Sequence, residues 1–335
     1  MVGLRGPHRI AFGIVPSQES PFGWPARLHV VTGKGGTGKT TVAAALAIAL
    51  TRGGRRVLLA EVEGRQGIAG LFDLEPLPYE ERWIAGASRT GEVRALAVDA
   101  EEALLEYLDM FYKLGIAGRA LKKMGAIDFA TTVAPGMRDV LLTGKVKEAV
   151  TRTADGHRVY DAVVLDAPPT GRIARFLNVT AETARLAKVG PIKTQSEGVA
   201  AILRSPMTSV HVVTLLEEMP VQETTDAIEE LTRLGIPIGQ VIVNATRAPL
   251  LDGGRATESK LRRGLVAAGL PAEPTVVTGL LTEIRAYQTR LAVERDLRAE
   301  LAGLGRPMVE LPLLAEGVTT DGLEVLADAL LTPTS

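Results

Sequence analysis

Short apolar runs alternate with longer stretches of helical periodicity along most of the chain. Arg27-Leu-His-Val-Val-Thr32 is rich in β-branched residues and ends at a glycine-rich turn; a helical pattern then runs from Lys39 to Arg52 and stops at Gly53-Gly54. A second apolar run, Arg56-Val-Leu-Leu-Ala-Glu-Val62, follows. Further strands are predicted at Val93–Val98, Tyr160–Leu165, Ser209–Leu215, Gln240–Val243, Thr275–Thr278 and Met308–Leu311, with helices such as Thr224–Leu234 and Glu283–Leu301 between them. The strand runs are continuous rather than alternating, so both faces of each strand are covered. With helices as connectors, this predicts an α/β fold with a mostly parallel sheet flanked by helices.

Two stretches, 101–153 and 173–206, are too long for one crossover helix, and both read as helical. They are expected to form a helical subdomain inserted into a single domain over 27–331, with a flexible leader at 1–26 and a short tail at 332–335. The leader carries Arg5 and Arg9 but lacks the apolar stretch and cleavage site of a secretory signal. The longest apolar run, Val42 to Leu50, is far short of the ~20 residues of a membrane span. A cytoplasmic location is expected.

Composition narrows the chemistry. Of 335 residues, 46% are hydrophobic and the net charge is −1, so no broad cationic surface for nucleic acid is expected. There is no cysteine, which excludes disulfides, thiolate metal sites and thiol nucleophiles. The four histidines, His8, His29, His157 and His211, have no metal-ligand spacing.

Gly33-Lys34-Gly35-Gly36-Thr37-Gly38-Lys39-Thr40 fits the phosphate-loop pattern in full, between a strand and a helix. The glycines let backbone N–H groups turn toward phosphate oxygens, and the helix start at Lys39, Thr40 and Thr41 adds its positive dipole end. Lys39 is expected to bridge the β- and γ-phosphates, and Thr40 to coordinate Mg²⁺. Asp166, at the end of the Val163-Val-Leu165 run, is the candidate second holder of the Mg²⁺ shell.

Lys34, a second lysine inside the loop, resembles the first lysine of the deviant phosphate loop shared by MinD, ParA, nitrogenase iron protein and ArsA. Asp166-Ala-Pro-Pro-Thr-Gly-Arg-Ile-Ala-Arg-Phe-Leu177 resembles the switch II of the ArsA/Get-type ATPases. Val241-Ile-Val-Asn244 is similar to that family's adenine-contacting strand, and Glu283-Ile-Arg285 to the segment after its adenine loop, which would place that loop near Thr278 to Leu281. The resemblance covers roughly 27 to 331 and is closest to the paired ArsA/Get-like ATPases of actinobacteria. It implies a P-loop fold, Mg-ATP as substrate, and a dimer across which Lys34 reaches the partner's phosphates. The partner is either a second copy or a paralogue; the client is an unidentified protein or membrane component, with a peripheral membrane position left open.

Two departures qualify this. Glu63 stands where the family's switch I aspartate positions the attacking water, and Gly64-Arg65-Gln66-Gly67 replaces the residues after it. One extra methylene implies slow hydrolysis, or a hydrolysis-poor subunit that regulates a paralogue. Glu61 reads either as a second catalytic acid or as an exposed strand-edge residue. Without cysteine, neither an arsenite site nor a shared zinc is expected. Met110, Phe111, Tyr112, Leu114, Leu121 and Met124 offer at most a small apolar surface and read more readily as core.

Overall fold

The computed structural model describes residues 26–87, 91–112, 136–179, 181, 190–250 and 256–332. Eight strands form one sheet in the order β10-β9-β8-β1-β7-β2-β4-β3. They are β1 (Leu28–Gly33), β2 (Arg56–Glu61), β3 (Arg82–Ala87), β4 (Gly91–Ala97), β7 (Ala162–Asp166), β8 (Thr208–Thr214), β9 (Ile238–Thr246) and β10 (Met308–Pro312). Every pairing is parallel except β3 with β4, which is antiparallel at one edge. A two-residue ribbon, β5 (Thr153–Ala154) with β6 (His157–Arg158), stands apart.

All residues of β1, β7 and β8 are buried. Their two faces feed different cores, following the period of two along a strand. Val31, Val57, Leu59 and Val164 meet α1 (Lys39–Leu50) and α10 (Thr320–Leu331) on one side. Leu28, Val30, Leu58 and Leu165 meet α4 (Met137–Thr151), α5 (Thr170–Leu177) and α6 (Pro191–Leu203) on the other. The helices of the long stretches, α4 and α6, therefore lie directly on the sheet, with Val140, Val146, Val150, Val199 and Leu203 buried there. A third cluster joins β8 and β9 to α7 (Glu218–Arg233) and to Leu297 and Leu301 of α9 (Pro274–Gly303). The remaining helices are α2 (Gly67–Leu71), α3 (Ala100–Tyr112) and α8 (Glu258–Ala267).

α1 is buried at every position from Val42 to Leu50. It is sandwiched, which explains why its sequence is apolar all round rather than striped. α10 supplies the outer cover with Leu323, Leu326, Ala327 and Leu330, the spacing of one helical face.

One expected strand is overturned. Thr275–Thr278 opens α9, with Pro274 in its first turn. Proline there is pre-set for a helix, and Val277 alone of these four residues is buried, so no alternating sheet face exists to reward the β-branched side chains. The edge strand β3 was not anticipated. The leader at 1–25, the side chains of Met110, Phe111 and Tyr112, the residues Leu114, Leu121 and Met124, and the tail from 333 lie outside the described residues. No helix among the described residues is long and apolar enough to cross a membrane.

Candidate nucleotide-binding site

The glycine-rich loop lies at the carboxyl end of β1, between β7 and β8, where the strand order turns back on itself; crevices of parallel sheets open at such a point. Gly33 is obligatory by contact: a Cβ there would overlap the carbonyl oxygen of Val213 on β8. Gly36 and Gly38 have φ of +88° and +85°, the left-handed region that glycine enters freely. Gly35 and Gly36 face open space. The Thr37 hydroxyl donates to the Lys34 carbonyl oxygen at 2.9 Å, closing the loop on itself. Asn244, near the end of β9, donates its amide to the Thr37 carbonyl oxygen at 2.9 Å and fills the space a Gly38 side chain would need.

Lys39 and Thr40 begin α1, with Thr41 half-buried beside them. Lys39 is buried as a residue, and its ammonium, partly open to the cavity, donates to the Lys34 carbonyl oxygen at 3.3 Å. Burial lowers its pKa, and Asp166 and Glu63 oppose that shift. Thr40 donates its hydroxyl to Asp166 Oδ2 at 2.6 Å. Asp166 Oδ1 is buried without a hydrogen-bond partner among the described residues. Burial pushes the Asp166 carboxyl up to about 6, against the Thr40 bond. A cavity opens among Lys39, Thr40, Glu61, Glu63, Arg65 and Asp166.

The segment expected as switch I follows β2. Glu61 is the last residue of β2, and its carboxylate accepts from the backbone N–H groups of Gln66 at 2.5 Å and Ile68 at 3.0 Å. It is buried, so the reading as an exposed edge acid is overturned: the chain folds back over it and its oxygens close the turn. Glu63 is held by two arginines, Arg172 of α5 at 3.2 Å and Arg65 at 3.5 Å.

The structure therefore brings Lys39, Thr40, Glu63 and Asp166 to one cavity. Lys34 points elsewhere. Its ammonium pairs with Glu223 of α7 at 2.9 Å, and Glu223 also accepts from the Thr170 hydroxyl at 2.9 Å. The Lys34 bond holds the Glu223 carboxyl below its usual range. The segment expected as an adenine loop, Thr278 to Leu281, is helical within α9. Glu223, Arg172 and the bracing role of Glu61 escaped the sequence reading: the first two because their partners Lys34 and Glu63 lie far away in the chain, and Glu61 because the turn through Gln66 and Ile68 that closes over it leaves no mark in the apolar pattern.

A glycine-rich turn between a buried parallel strand and a helix that opens with a buried lysine and a threonine, with an aspartate on the neighbouring strand end, defines a P-loop NTPase. The model of the anion-transporting ATPase (ArsA) family matches residues 26–199 and 180–249. ATPase BagA of Mycobacterium tuberculosis is 54% identical over 325 residues, 93% of this chain and 96% of its own. ATPase GET3 of Kluyveromyces lactis is 25% identical over 249 residues, 64% of this chain and 70% of its own. The chain belongs to the anion-transporting ATPase family.

Proposed function

We propose that the protein is a cytoplasmic, Mg-dependent ATPase that opens and closes as a dimer, coupled to an unidentified client. The observation that carries this reading is the meeting of Lys39, Thr40, Glu63 and Asp166 around one cavity. In this reading Lys39 neutralises the β- and γ-phosphates, and the backbone of Gly33 to Gly38 cradles them. Glu63 orients the attacking water. The water's oxygen forms the new bond to the γ-phosphorus as the bond to the β–γ bridging oxygen breaks; that electron pair leaves with ADP, and the proton the water sheds passes to the phosphate product or to solvent. Asn244, whose amide nitrogen is engaged by Thr37, would offer its oxygen to the adenine amino group.

Mg²⁺ suits the residues present. Thr40 Oγ1 and Asp166 Oδ2 are already adjacent, and the unpartnered, buried Oδ1 is an acceptor in want of a donor or cation. Among the described residues no group of three or more metal-ligating side chains occurs, as suits an ion held mainly by phosphates and water. When bound, it would neutralise charge on the transferring phosphoryl group.

Lys34 would leave Glu223 to reach a partner's phosphates. The partner is a second copy or a paralogue. A second reading, a hydrolysis-poor subunit regulating a paralogous ATPase, is favoured by the double arginine hold on Glu63, which keeps that carboxylate occupied. Steady-state Mg-ATPase turnover separates the two. Under the first reading the chain alone turns over ATP, and Lys34→Ala and Lys39→Ala each lower the rate by at least about a hundredfold. Tight ATP binding with turnover only in the presence of a paralogue would reject it for the second.

A further inference from the structure

Arg65 occupies a position that the phosphate-site chemistry above does not use. It lines the cavity with Lys39, Thr40 and Asp166, and it also lines an adjoining polar pocket with Arg138 and Arg172. Arg172 lines only the second. Both arginines hold Glu63, one on each carboxylate oxygen: Arg172 on Oε1, Arg65 on Oε2. Arg65 nevertheless lies close enough to Lys39 for its charge to weigh against that ammonium.

We propose that Arg65 is a γ-phosphate-reading residue: on arrival of a nucleoside triphosphate its guanidinium exchanges Glu63 for the γ-phosphate, while Arg172 keeps hold of Glu63. This rests on the reading of the cavity as a nucleoside triphosphate site. Three features support the exchange. First, the Arg65 side chain is 70% exposed and its bond to Glu63 is long, so the pair it gives up is a weak, solvent-screened one. Second, the backbone around it is fixed. Gly64 and Gln66 are both left-handed, at φ of +67° and +55°, and Glu61 clamps the N–H groups of Gln66 and Ile68. The turn is thus set while the side chain stays free to swing. Third, a guanidinium offers a planar pair of donors that matches two phosphate oxygens, a better anchor than a carboxylate already shared with Arg172.

The exchange has a directional consequence. Glu63 loses one of its two cations only when a γ-phosphate is present, so the water-orienting carboxylate is released on one side at the moment it has a water to orient. A diphosphate, which has no group at that position, leaves Arg65 where it is.

The test compares Mg-ADP with Mg-AMP-PNP binding, by calorimetry, to wild type, Arg65→Ala, Arg65→Lys and Arg172→Ala. Arg65→Ala is expected to weaken AMP-PNP about tenfold and ADP by less than about twofold, with Arg65→Lys between wild type and alanine. Arg172→Ala leaves Glu63 to Arg65 alone and is expected to weaken AMP-PNP more than ADP, because Arg65 then has a stronger partner to give up. Turnover at saturating ATP falls by at least about a hundredfold in Arg65→Ala. Equal weakening of both nucleotides by Arg65→Ala, or no change in either, overturns the proposal. Failure of the underlying reading looks different: wild type itself would bind neither nucleotide, or Lys39→Ala would bind both as wild type does.

Discussion

The Asn244 amide occupies the volume that any side chain on Gly38 would need, and Gly38 is itself left-handed at φ +85°. Gly38→Ala therefore breaks two things, the backbone conformation and the Asn244–Thr37 bond. A stability loss of about 1–3 kcal/mol is expected from the strain alone, read by thermal or urea unfolding. Asn244→Ala removes the clash, so the double variant should lose less than the two single losses added together. Additive losses would show that the loop does not lean on Asn244. At this scale the sequence is most informative where the chemistry is local. Lys39 and Thr40 follow their glycines in one unbroken motif, and Asp166 follows its own apolar run. Arg172 meets Glu63 and Arg65 only because β2 and β7 are neighbours in the sheet, and no spacing along the chain encodes that. Of the two readings of Glu61, the exposed one fails for a different, local reason: its burial is made by residues 66 to 68 folding back over it.

The strands were legible as elements because parallel strands buried on both faces leave long apolar runs. β3 was not, since an antiparallel edge strand covered on one side carries no such run; Trp83 on it is 57% exposed. The start of α9 misled through β-branched residues whose helical fate was decided by Pro274 and by the lack of a neighbouring strand. Two paired strands also carry a titratable pair. His29 of β1 and His211 of β8 are fully buried, with Nδ1 of the first 3.1 Å from Nε2 of the second, and the Gln240 N–H donates to His211 Nδ1. Burial is the main cause that lowers His29 to about 4, and it holds His211 well below the ordinary histidine value. Both are therefore neutral in the folded protein at pH 6, while an unfolded chain takes up protons below about 6.5. Folding stability from this pair is flat above that value and is lost as pH falls from about 6.5 toward the folded-state pKa values. Asp166, raised to about 6, acts in the opposite sense and favours the native state as pH falls through that value. The contribution of the pair is thus read as a difference: unfolding midpoints between pH 7.5 and 5 should fall less steeply in His29→Gln than in wild type. Identical slopes would remove the pair from the pH response.

At the scale of the molecule, the sheet is covered on both sides, and the helix that opens the phosphate site is the one most completely enclosed. Leu326 of α10 packs in the same core as Val42, Leu46 and Leu50 of α1. Arg52, just past α1, ties the two by ion pairs to Glu324 and Asp328 at 2.8 Å each. Leu326→Ala is expected to lower stability by about 2–5 kcal/mol. It touches no loop residue, so nucleotide affinity of the molecules that remain folded should be unchanged, as measured by calorimetry well below the unfolding midpoint. A proportional loss of affinity would mean that α10 shapes the loop rather than only supporting its helix. The enclosure of α1 also sets an order of events during synthesis. The outer cover of the helix behind the phosphate loop follows it by about 270 residues, which at ribosomal rates is a wait on the order of 10–60 s. Through that interval the nascent chain carries an alanine- and leucine-rich helix with one side bare.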